Sequence, residues 1–145
     1  MSKISTETAK IKYGIKNSHE IMSNGELRFR LLSDDGSSYI KTISGSKGAW
    51  QNSHYHKITK EIYIIQQGWM VLASLINNDI LIKIYYPNDI ISTEPNIVHN
   101  VYLSKNTITH TIKYGIPNKN DWFPDKEFTV RTKKLSEKDI LKLAN

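Results

Sequence analysis

Gly48-Ala49-Trp50-Gln51-Asn52-Ser53-His54-Tyr55-His56-Lys57-Ile58-Thr59-Lys60-Glu61-Ile62-Tyr63-Ile64-Ile65-Gln66-Gln67-Gly68 is the stretch on which the reading of this chain turns. His54 and His56 stand two residues apart, so in a strand both imidazoles would point to one side. Glu61 follows and opens a β-type run in which Tyr63 and Ile65 share its phase. His99 comes from a distant run, after Pro95. Two His, a carboxylate and a third His make a ligand set that suits Zn, Fe, Ni, Cu or Mn. Open positions would remain for water or substrate. A His-x-His pair alone is also common on surface strands that bind nothing.

The flanking sequence is a series of short β-type runs broken by polar turns. Residues 27–31 alternate apolar and charged, as a half-buried strand does. Residues 34–38 are a turn cluster, and 39–43 read as the next strand. Residues 69–76 and 80–86 flank the hairpin turn Asn77-Asn78-Asp79. Residues 97–103 and 107–114 are two more strands, and 128–131 read as an edge strand. Only the end reads as helical: Ser136-x-x-Asp139 has the form of a capping box, followed by Ile140, Leu141 and Leu143. A single domain is expected, with its core over roughly residues 26–132 and a short helix over 136–144. Many short strands with regular turns indicate an all-β sandwich or barrel.

The quoted stretch has the form Gly-x5-His-x-His-x4-Glu-x6-Gly, and it resembles the first motif of the cupin superfamily at every fixed position. A looser second motif follows. Pro87-Asn88-Asp89 stands where the family often has a Gly-Asp corner, and Glu94-Pro95-Asn96-Ile97-Val98-His99 resembles the Pro-rich approach to its last metal-binding His. Asn88 and Asn96 replace glycines, and Asn also tolerates a left-handed backbone. The resemblance covers roughly residues 39–115. It implies a double-stranded β-helix, or jelly-roll barrel, with a metal inside its mouth. It further implies that His54, His56, Glu61 and His99 match the four ligand positions.

Other residues add candidate roles. His110 shares a strand face with Ile108 and Ile112, the face expected to be buried. There it would be a core histidine bonded to a carbonyl, or a general acid/base near the metal. Tyr63 shares Glu61's face and is the second candidate for moving a proton. Arg28 and Arg30 share the polar face of their strand, solvated or turned to a substrate carboxylate or phosphate. Trp122-Phe123-Pro124 is a hydrophobic plug, read as a cap over the barrel or a subunit contact.

Composition narrows the classes. The chain has 145 residues, 39% hydrophobic and 23% charged, as soluble domains do. It has no cysteine, hence no disulfide framework and no thiolate ligand. Residues 1–16 lack the apolar stretch of a secretory signal, and no apolar run is long enough for a membrane helix. A cytoplasmic protein is expected. The net charge is +6, with a pI near 9.4. Residues 1–20 carry +2 and residues 131–145 carry +3, so only +1 belongs to the middle. With no nucleic-acid-binding motif, the charge does not argue for a nucleic-acid partner. The function expected from the resemblance is isomerisation or epimerisation of a small polar, carbohydrate-like and anionic substrate, in sugar or sugar-nucleotide metabolism. The cofactor is a divalent transition metal (Mn, Fe, Zn or Ni). The alternatives are an Fe- or Ni-dependent dioxygenase and a non-catalytic sugar- or effector-binding module. A homodimer is expected, through the N-terminal segment or residues 128–131.

Overall fold

The structure is a computed structural model, and it describes residues 1–115 and 120–144. The chain runs α1 (Thr6–Tyr13), β1 (Ile15–Ile21), β2 (Leu27–Ser33), β3 (Ser38–Ile43), β4 (Ala49–Trp50), β5 (His54–Tyr55), β6 (Lys60–Gln67), β7 (Met70–Ile76) and β8 (Asp79–Tyr85). It continues through β9 (Ile90–Thr93), β10 (His99–Leu103), β11 (Ile108–Tyr114), β12 (Phe123–Pro124), α2 (Lys126–Lys133) and α3 (Glu137–Ala144). Two antiparallel sheets face each other. One has the order β1-β2-β3-β11-β6-β9, the other β12-β5-β10-β7-β8 with β4 also on β10. This is the expected jelly-roll barrel with a short C-terminal helix.

Turn chemistry follows the sequence closely. Asn88 and Asn96 adopt φ of +76° and +63°, the left-handed backbone inferred from their glycine-like positions. Gly68 sits at φ +77°, and a Cβ there would collide with the Thr107 hydroxyl. The second motif glycine is needed for closeness as well as for its turn.

The core has two layers. Between the sheets lie Tyr63, Ile65, Met70, Ile91, Val101 and Leu103. On the outer face of the second sheet, Trp50, Val71, Ala73, Ile82 and Tyr102 pack against Phe128 and Ile140 of the C-terminal helices. Trp50 Nε1 donates to the Leu135 carbonyl at 3.0 Å, tying sheet to helix. Ser136 and Asp139 cap α3 reciprocally, as their spacing indicates: each backbone N–H meets the other's side chain, at 2.9 and 3.2 Å.

Three expectations change. Residues 128–131 are helical, not an edge strand. Asp125 caps α2 by accepting from the Phe128 N–H at 2.8 Å, and Phe128 and Thr132 then share one buried face. That segment therefore offers no strand edge for a dimer. A further helix, α1, forms at the N-terminus between the Ser5 cap and Gly14 at φ +65°. The alternation in β2 is right in period and reversed in direction. Phe29 and Leu31 lie on the solvent side, and Arg28 and Arg30 turn towards the barrel.

Phe128, 1% exposed, is the anchor of the helical layer. Phe128→Ala is expected to lower unfolding stability by about 3–5 kcal/mol, measured by urea denaturation. A loss below about 1 kcal/mol would mean that the helices contribute little to the fold.

Candidate metal centre

Local backbone geometry brings the four expected ligands together. His54 lies in β5 directly opposite His99 at the start of β10. His56 follows β5, and Glu61 enters from β6. One ligand atom from each of the four lies within 4.8 Å of the others, and all four residues are buried.

Each imidazole is oriented by a backbone carbonyl. His54 Nδ1 donates to the Asn52 carbonyl at 3.2 Å, and His99 Nδ1 to that of Ile97 at 3.0 Å. His56 Nδ1 bonds the carbonyl of Asp121. With Nδ1 protonated, the neutral form of each ring carries its lone pair on the inward Nε2, the tautomer a metal ligand needs. His99 Nε2 also lies 3.2 Å from Glu61 Oε2, to which it donates when that ring is protonated. His54 Nε2, His56 Nε2 and Glu61 Oε1 are buried without a hydrogen-bond partner. His56 Nε2 and Glu61 Oε1 are only 3.2 Å apart, yet not aligned to bond each other. Converging lone pairs beside a carboxylate leave a gap that a cation fills. His54, His56, Glu61 and His99 can hold a divalent metal.

The electrostatics agree. Burial alone would raise the Glu61 carboxyl; hydrogen bonds donated by the three imidazoles when protonated, with the Lys113 ammonium, outweigh it and hold it well below the ordinary range. Burial lowers His54, which favours the neutral, ligating form.

Asp121 is a supporting residue that the sequence reading missed. Its carboxylate accepts from the backbone N–H groups of Lys57, Ile58 and Thr59 at 2.8, 2.8 and 2.6 Å, and from the Thr59 hydroxyl at 2.7 Å. Slight burial would raise this carboxyl, but the donors depress it well below the usual value. One residue thus fixes the turn between His56 and Glu61 and, through its carbonyl, the ring of His56. Trp122, half exposed, stacks on His54 with ring centroids 5.4 Å apart, so it lies against one of the candidate ligands.

A cavity of about 300 Å³ opens beside His54 and Glu61, with Arg28, Tyr63, Lys113 and Trp122 among its walls. Tyr63 is buried on Glu61's face, as expected. Burial, followed by the Glu61 charge, pushes its phenol well above 10. His110 is not at this site. The inward side of β11 carries Thr109 and Thr111, with Lys113 at the cavity, and His110 looks outward. There it pairs with the Tyr39 hydroxyl and with Gln66 Oε1, each at 2.7 Å. The expectation that Ile108 and Ile112 mark the buried face fails because this stretch of barrel is lined by polar groups.

The purified chain is expected to bind one divalent transition ion, raising its melting temperature in a thermal-shift titration. His56→Ala should abolish that shift. Asp121→Ala should weaken metal affinity roughly 10–100-fold by chelator competition, the usual range for outer partners of a metal ligand. Unchanged affinity would deny Asp121 this role.

No family model matches the sequence, and no curated protein matches it. Solved structures do match the fold. An RmlC-like cupin from Shewanella frigidimarina aligns with TM-score 0.57 at 18% identity, over 73% of this chain and 88% of its own. Oxalate decarboxylase from Bacillus subtilis, an enzyme with Mn(II) centres, aligns with TM-score 0.60 at 10% identity, over 88% of this chain and 37% of its own. A nucleoside dehydratase, seen with uridine as the Streptomyces protein, aligns with TM-score 0.56 at 14% identity, over 87% of this chain and 92% of its own. The fold of this chain is that of the cupin superfamily, with a buried group of three histidines and one glutamate that can hold a metal.

Proposed function

We propose that the protein is a cytoplasmic, metal-dependent cupin enzyme that isomerises or epimerises a small, anionic, carbohydrate-like molecule in sugar or sugar-nucleotide metabolism. The observation that carries this reading is the set of buried, orphaned ligand atoms on His54, His56 and Glu61, of which His54 and Glu61 line an open cavity. A purely structural ion has its coordination filled by protein, whereas a five- or six-coordinate ion on these four residues would keep positions open towards the cavity. A divalent ion bound there would polarise a carbonyl or hydroxyl oxygen. The chain supplies the rest. Tyr63 stays protonated at neutral pH and can donate to a developing oxyanion. Lys113, 3.3 Å from Glu61, is the other proton-bearing side chain at the cavity that is not itself a ligand and reaches the centre. The nucleoside dehydratase among the fold neighbours supports a sugar-bearing substrate. The exposed apolar groups Phe29, Leu31, Tyr39 and Ile112 on the outer face of the first sheet support a homodimer.

A dioxygenase is the second reading, favoured by one observation. A second cavity of about 530 Å³ reaches His99 from the other side, between β8 and β9, with Leu72, Leu81 and Ile97 among its walls. Lys83, Ser92 and Glu94 also line it, so the approach is mixed, and it offers a separate route to His99 for a small co-substrate such as O₂.

The deciding experiment incubates metal-loaded protein with sugar phosphates and nucleotide sugars in D₂O, with and without O₂. Solvent deuterium at carbon, independent of O₂, is expected. Tyr63→Phe should slow it about 10²-fold or more, as loss of a positioned acid does. Turnover that vanishes without O₂ would replace the isomerase with the dioxygenase. Metal uptake without turnover under either atmosphere would leave a binding module.

A further inference from the structure

We infer that the cavity beside the metal group is built for an anionic oxygen group, a carboxylate or a phosphate, held by Arg28, with Lys113 adding positive charge at the opposite, metal end of the cavity. This rests on the proposed function for the occupant's being a substrate.

The arginine is mounted rather than loose. Arg28 Nε and Nη2 both donate to one oxygen, Glu26 Oε2, at 3.2 and 2.8 Å. That uses the side edge of the guanidinium. The end edge, Nη1 with the second hydrogen of Nη2, has no partner among the described residues. Two parallel N–H groups in this fork match a carboxylate or phosphate in bidentate fashion. Glu26 is 1% exposed and is itself held, since Gln51 Nε2 donates to both its oxygens at 3.1 Å. A buried carboxylate clamped this way fixes the angle of the fork.

Charge points the same way. Arg28, Lys113 and Lys133 all line the cavity. Against them stand Glu61 and, behind Arg28, Glu26. The ion-pair partner of Lys113 is Glu61, the same carboxylate that the metal would claim. A divalent ion therefore makes the cavity strongly positive, which a neutral sugar does not offset and an anion does. Arg30, on the same strand face, is instead matched by Glu20 at 2.6 Å.

Register separates Arg28 from Lys113. Arg28 lies in one cross-strand row with Thr42 and Thr109, and Lys113 lies opposite Glu61. The rows are four residues apart along β11, roughly 13 Å at strand rise. The geometry has one pole at the metal and Lys113 and another at Arg28. It fits a small molecule with an oxygen ligand at one end and its anionic group at the other.

Isothermal titration of the metal-loaded protein with glycerol, D-glycerate and glycerol 3-phosphate tests this. At least one anionic probe should bind tenfold or more tighter than glycerol, and the tighter anion identifies the group. Arg28→Gln should weaken that binding at least tenfold with metal affinity unchanged. Because Arg28→Gln leaves Glu26 buried and unpaired, the double variant Glu26→Gln/Arg28→Gln is measured beside it and should lose binding equally. Lys113→Met should weaken it as well. Anions that bind no better than glycerol, or a double variant that binds them like the wild type, would overturn the inference. Arg28-dependent anion binding by a protein that takes up no metal would keep the anion site and remove the proposed function instead.

Discussion

Three imidazole nitrogens and a carboxylate, buried within 4.8 Å of one another, are the constraint around which this barrel is arranged. Burying an uncompensated carboxylate costs several kcal/mol, and facing lone pairs repel. Each neighbouring element reduces that cost or exploits it. Backbone carbonyls set the ring tautomers, Thr93 Oγ1 donates to Glu61 Oε2 at 3.3 Å, and Lys113 offsets charge at the other oxygen. The barrel interior is consequently polar at this end and apolar at the other, where Met70, Val101 and Leu103 close it.

That division explains what was legible in the sequence. The candidate ligands His54, His56 and Glu61 are local: they sit in one short stretch between two glycines, and the resemblance of that whole frame to the cupin motif, rather than the His pair by itself, marks them. His99 is remote but marked by Pro95 and Asn96. Hydrophobic alternation found β2 and β11 as strands, but a period says nothing of direction. Near a polar site the rule that apolar residues face inward reverses. Arg28 and Lys113 are therefore interior groups, while His110 is not. The repeating Thr109-x-Thr111-x-Lys113 was the available signal, a polar face continuous along one strand.

The C-terminal helices were half legible. Ser136 and Asp139 announce α3 through a capping pair. The start of α2 was hidden because Phe128, Thr129 and Val130 are good strand residues. Tertiary burial decides there: Phe128, Thr132 and Leu135 reach the outer face of the second sheet only from a helix. Asp121 was invisible for another reason. Its partners lie more than sixty residues earlier, and no local pattern encodes that closure.

That long closure also bears on the order in which the molecule assembles. The wall formed by Asp121, Trp122 and β12 crosses back over His54 and His56 from 65 residues downstream, after most of the barrel has been laid down. Such non-local contacts form slowly. The centre is thus a seam between the barrel and the segment that follows it. A bound ion would act as a clasp on that seam. It would tie residues 121–135 to the barrel and make their protection from hydrogen exchange a gauge of occupancy.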